Sequence, residues 1–140
     1  MKPIEAGKKR NAVTRRVGSL VILLEGKDTP TDAEWRECIQ LVSAGDLNST
    51  RVLVITEGGG PSVSQRQMLE NVLSGTKVCS AVVSDSVKVR FIVATVALFS
   101  NSISSFSLRE IRKAYDYLGL SHEQIALAEK NLKEMRLDLK

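Results

Sequence analysis

The stretch from Arg51 to Ser62 constrains this chain more than any other, because an unbroken apolar run leads into three glycines and a proline. Val52-Leu53-Val54-Ile55 is rich in β-branched residues, short, and without polar alternation, the pattern of a strand covered on both faces. Gly58, Gly59 and Gly60 free the backbone to turn sharply, and Pro61 suits the first position of a helix, where its missing N–H costs nothing. Strand, turn and helix open a βαβ unit, and a helix N-terminus at such a turn can face a ligand or a partner.

The rest of the chain alternates in the same way. Asn11–Arg16 reads as an edge strand with Val13 as its strong apolar anchor, and Leu20–Leu24 as a central strand. Thr31 and Glu34 have capping-box spacing and start a helix that ends near Ala44-Gly45, with Ala33, Trp35, Cys38, Ile39, Leu41 and Val42 as its buried face. The helix after the glycines is expected over Pro61–Leu73, with Val63, Met68, Leu69, Val72 and Leu73 turned inward and Gly75 as its stop. Lys77–Val83 follows as a strand, and Asp85 or Ser86 can cap an apolar helix, Val87–Phe99, read as a core helix. Ile103–Phe106 alternates as an edge strand would. Ser107 with Glu110 opens a helix to Leu118, and Ser121 opens a last amphipathic helix to Lys140. Alternating strands and helices imply one α/β domain, a mostly parallel sheet of four to five strands with one antiparallel edge.

At 140 residues the chain is long enough to bury a sizeable core. Its longest uncharged apolar stretch, Phe91–Phe99, is far short of the ~20 residues a bilayer span needs, so no membrane span is expected. The net charge of +4 is uneven: residues 1–16 contribute +5 and the remainder −1. Residues 1–10 read as a basic, solvated arm, residues 11–120 as the domain, and 121–140 as a helix packing on the domain or on a partner, with a homodimer in view. Nucleic acid is not an expected partner, because no aromatic residue interleaves the basic cluster. Cys38 and Cys79 read as reduced, buried thiols of a cytoplasmic protein.

Catalytic chemistry finds no footing. His122 is the sole histidine, no nucleophile is marked as its partner, and no Cys or His pair has metal-ligand spacing. No catalytic residue, metal or cofactor is expected. The glycine turn lacks both the later glycine of a dinucleotide fingerprint and the Gly-Lys-Ser/Thr of a P-loop. Three adjacent amides and a helix start could still hold an anion. Ser84-Asp85-Ser86 ends the next strand on the same sheet edge, so Glu57, Gly58, Gly59, Gly60, Ser62, Asp85 and Ser86 form the candidate partner or ligand surface.

In its order of elements the chain resembles STAS-like domains, in particular the SpoIIAA-like group of bacterial anti-sigma-factor antagonists. The resemblance rests on Gly18–Gly26, Arg51–Gly60 and Lys77–Ser86 as strands, the helix Val87–Phe99, and the closing Ile103–Leu118 unit. It implies a SpoIIAA-like layered fold and a non-enzymatic regulatory module that docks a protein partner, such as a kinase-like regulator, through residues 56–64 and the following helix. The alternative is a domain binding a nucleotide, phosphate or lipid at the same edge. In phosphorylated members an acidic residue precedes a modified Ser or Thr after the central strand. Here the turn reads Thr56-Glu57-Gly58-Gly59-Gly60-Pro61-Ser62, without that pair, so Ser62 or Ser64 would stand in as the modified residue.

Overall fold

The computed structural model describes residues 9–97 and 102–140. Five strands form one sheet in sequential order: β1 (Ala12–Val17), β2 (Leu20–Glu25), β3 (Arg51–Thr56), β4 (Cys79–Val83) and β5 (Ile103–Phe106). β1 runs antiparallel to β2, which it meets at the Gly18 turn, where φ is +62°. All later pairings are parallel.

Side-chain alternation along the strands divides the core in two. Ile22, Leu24, Leu53, Ile55, Ala81 and Val83 face α4 (Ile111–Tyr117) and α5 (His122–Met135). Val21, Leu23 and Val52 face α1 (Asp32–Val42), with Val54 and α2 (Val63–Leu73) packed against them. The unbroken apolar runs of β2 and β3 are therefore needed on both sides.

Each long helix begins where the sequence offers a cap. Thr31 and Glu34, Ser62 and Gln65, and Ser121 and Gln124 form reciprocal capping boxes, and Ser107 with Glu110 does the same for a short 3₁₀ turn ahead of α4. α2 accordingly starts at Val63, not at Pro61. The Ser62–Gln65 box satisfies the orphan amides two residues later than the proline suggested. Val63 and Val72 are exposed, so the inward face of α2 reduces to Gln65, Met68, Leu69 and Leu73.

Of the basic segment 1–16, residues 1–8 lie outside the described part, and Arg10, Arg15 and Arg16 are tied to the domain. Arg15 pairs with Glu134 at 2.8 Å and bonds Asn131, tying β1 to α5. Arg16 donates to the carbonyls of Leu41 and Val42 at 2.9 and 3.3 Å, closing the C-terminus of α1, where no basic residue is supplied locally. Arg10 pairs with Glu37 and makes an isolated bridge to Leu139.

α5 buries Ala128, Leu132 and Met135 against its own sheet, with Ile125 and Leu139 packed beside them. Its apolar face completes the second layer, and Leu127 stays outside.

α3 (Val87–Ala97) departs from the core helix the sequence suggested. Among its described side chains only Val93 is buried, whereas Val87 and Phe91 are 80% and 72% exposed. The cause is topological: α3 packs on β5, a four-residue strand at the end of the sheet. The expected end of this helix at Phe99 lies outside the described residues.

Candidate functional site

The carboxyl ends of β2, β3 and β4 and the N-termini of α1, α2 and α3 converge on one edge of the sheet. This is where parallel sheets usually hold ligands or partners. Its centre is a short chain of hydrogen bonds built on two buried hydroxyls. Ser84 Oγ donates to the Thr56 carbonyl at 2.7 Å and accepts from the Ser86 amide at 3.1 Å. Thr56 Oγ1 donates to the Gly59 carbonyl at 2.7 Å and accepts from the Gly58 amide at 3.0 Å. Strand β3, strand β4 and the glycine corner are thereby locked together.

The three glycines do different work. Gly58 has φ +136°, a conformation other residues rarely adopt, and a β-carbon there would come within 3.9 Å of Ser86 Oγ. Gly59 is buried: a β-carbon would lie 2.5 Å from the Asp28 carbonyl and 2.7 Å from that of Gly26. Gly60 faces open space. The corner is thus half covered by the β2–α1 loop, and its outward side is formed by Glu57, Gly60 and Ser62.

The amides expected to hold an anion are largely occupied. Gly58 donates to Thr56 Oγ1, Gly59 to the Gly26 carbonyl at 2.8 Å, and Glu57 to the Glu25 carbonyl at 3.1 Å. Ser62 is the N-cap of α2, accepting from the Gln65 amide at 3.2 Å, so it stands before the helix and is exposed. Ser64 is also exposed, 3.5 Å from Ser62 between hydroxyl oxygens. Asp85 and Ser86 separate in role: Ser86 caps α3 through the Val89 amide, and Asp85 accepts from the Leu108 amide at 3.0 Å, steering the chain into the 3₁₀ turn.

A cavity of about 200 Å³ lies beside the corner, lined by the apolar Leu24, Ile55, Leu108 and Leu139 and by the charged residues Glu25, Glu57, Asp85 and Arg136. His122 is exposed at the first turn of α5, away from this lining. Among the described residues no cluster of metal-ligating side chains is found, and no helix is long and apolar enough to cross a membrane.

Two buried groups carry shifted protonation. Glu25 is buried at the end of β2, and desolvation raises its carboxyl pKa from 4.5 to about 8. Its Oε2 has no hydrogen-bond partner among the described residues. It continues the Val21, Leu23 alternation toward α1, where its charge acts on Cys38. Burial pushes the Cys38 thiol up to about 12, so it is an inert, reduced side chain. Thr56, Ser84 and Glu25 lie outside the candidate surface that the sequence marks. The available signal was a polar residue ending each apolar strand, at the position where a strand reaches the sheet edge.

These features define an α/β domain of SpoIIAA-like fold, with the candidate site at the carboxyl ends of the parallel strands. The chain superposes on an uncharacterised protein of the DUF3478 family with a SpoIIAA-like fold, from Shewanella loihica, with a TM-score of 0.53. The match covers 84% of this chain and 99% of that one at 12% identity, so what it establishes is the fold. No protein-family model and no curated protein matches the sequence.

Proposed function

We propose that the chain is a non-enzymatic bacterial regulatory module that binds a protein partner through residues 56–64 and the start of α2. One observation carries this reading: the internal hydrogen bonds of the corner hold Glu57 and Ser62 outward on a rigid base. A preorganised, exposed polar corner loses little conformational entropy on docking. Ser62 also stands at the positive end of α2, where a phosphate would be electrostatically favoured, so modification there would change the surface without unfolding it.

The test compares the wild-type chain with Ser62→Asp and Gly60→Val as bait in native lysate. Asp keeps an N-cap oxygen, and a side chain at Gly60 enters open space, so both variants retain the fold. A specific partner retained by wild type and lost with both variants supports the reading. A partner retained equally by all three removes it.

The cavity at the same edge favours a second reading, a small-ligand domain. Its lining carries Arg136 as well as Glu57 and Asp85, so the cavity admits a small amphipathic ligand of either charge, while the occupied glycine amides weigh against a phosphate held on the glycine corner itself. A thermal-shift series with fatty acids, aliphatic amines and nucleotides separates these; no shift with any of them removes the ligand reading.

A further inference from the structure

The outer face of α3 is patterned. At about 100° per residue, Val87, Phe91 and Ala94 form one stripe, with Lys88 on one flank and Arg90 on the other. All five side chains are exposed. No acidic residue occurs in the sequence between Asp85 and Glu110, so nothing on this helix neutralises the two cations. The stripe is continuous with the corner, because Ser86, which caps α3, is the residue nearest to a β-carbon at Gly58.

From this we infer that α3 is a docking ridge for a protein partner with an apolar groove rimmed by carboxylates: Val87 and Phe91 enter the groove, and Lys88 and Arg90 meet its two rims. The inference rests on the protein-binding reading above and names the partner's chemistry. A convex apolar stripe with a cation on each side complements a concave acidic groove, the mode in which amphipathic helices are recognised. A second copy of this chain is disfavoured, since a two-fold contact along α3 would gather Lys88 and Arg90 from both copies in one interface with no carboxylate on either helix to pair with them. An anionic bilayer is disfavoured as well: as an extended plane it would meet the exposed Glu57 and Asp85 on the edge that adjoins Val87 together with the stripe, whereas a groove of one helix's width engages α3 alone.

The experiment places a photo-crosslinking phenylalanine analogue at Phe91 and, as a control on another face, at Leu127, with the full chain expressed in its host. A protein adduct from position 91 and none from 127 is expected. That protein, purified, should bind wild type with an affinity that falls as salt rises. It should lose at least tenfold with Lys88→Glu and at least tenfold with Phe91→Ala, thermal unfolding staying unchanged. An adduct only with a second copy, Phe91-dependent sedimentation with phosphatidylglycerol vesicles in place of a protein adduct, or binding indifferent to Lys88→Glu would each overturn the inference. If Ser62→Asp leaves the same complex intact while the α3 variants abolish it, the corner reading fails and the ridge stands. The reverse pattern removes the ridge alone.

Discussion

The indole Nε1 of Trp35 donates to the main-chain carbonyl of Gln65 at 2.7 Å, joining the first turn of α1 to the first turn of α2. Gln65 answers with its side chain, whose amide donates to the Pro30 carbonyl at 2.9 Å and to Asp32 at 3.0 Å, while its Oε1 accepts from the Ser62 amide at 3.0 Å. Two helix starts on one sheet edge are therefore clamped by a single buried glutamine.

Replacing Gln65 by Ala removes one half of the α2 capping box and strands a buried carbonyl. Leaving a buried polar group unpaired costs about 1–3 kcal/mol, so Gln65→Ala should lower unfolding stability by that amount in urea titrations. It should also increase hydrogen exchange at the amides of residues 62–65. A loss below about 0.5 kcal/mol would show that the clamp is idle.

Adjacent glycines should respond oppositely. Gly59→Ala forces a β-carbon to 2.5 Å from backbone, where no side chain can give way, and should cost about 3 kcal/mol or more. Gly60→Ala meets nothing and should stay within about 0.5 kcal/mol of wild type. Thermal unfolding of the pair decides the matter, and similar values for both would contradict the buried placement of Gly59.

Glu25 makes stability pH-dependent. Its folded pKa lies near 8 and its ordinary value at 4.5, so between those pH values the unfolded chain releases the proton first and stability falls as pH rises. At about 1.4 kcal/mol per pH unit the loss by pH 7 is about 3 kcal/mol. Glu25→Gln should flatten the stability profile between pH 5 and 8 and raise the melting temperature at pH 8. A variant with the same slope as wild type would show that Glu25 is not the source.

The last helix offers a plain contrast. Leu132 is buried in the layer below the sheet and Leu127 is outside it. Leu132→Ala should cost about 2–5 kcal/mol, and Leu127→Ala under about 0.5 kcal/mol. If Leu127→Ala instead shifts the solution mass, α5 carries a subunit contact in addition to its own core.

Much of the architecture was written locally. Val52–Ile55 and Leu20–Leu24 need no tertiary information to be recognised as strands covered on both faces, and Thr31 with Glu34 or Ser107 with Glu110 mark helix starts by spacing alone. The edge holding Glu57, Ser62, Asp85 and Ser86 was legible for the same reason, since strand order places every parallel carboxyl end together.

Tertiary structure decided what depends on distant neighbours. Gly59 and Gly60 are identical in sequence, and only the approach of the β2–α1 loop makes one irreplaceable and the other free. Arg15 and Arg16 count in the sequence only toward the +5 of residues 1–16, and their partners appear when α5 and the end of α1 arrive beside them. The apolarity of α3 suggested burial, yet its position on the terminal strand leaves Val87 and Phe91 in solvent. Periodicity and capping act over a few residues and are fixed by the sequence at once, whereas burial is a property of what packs against a residue, and that is known only when the chain has closed on itself.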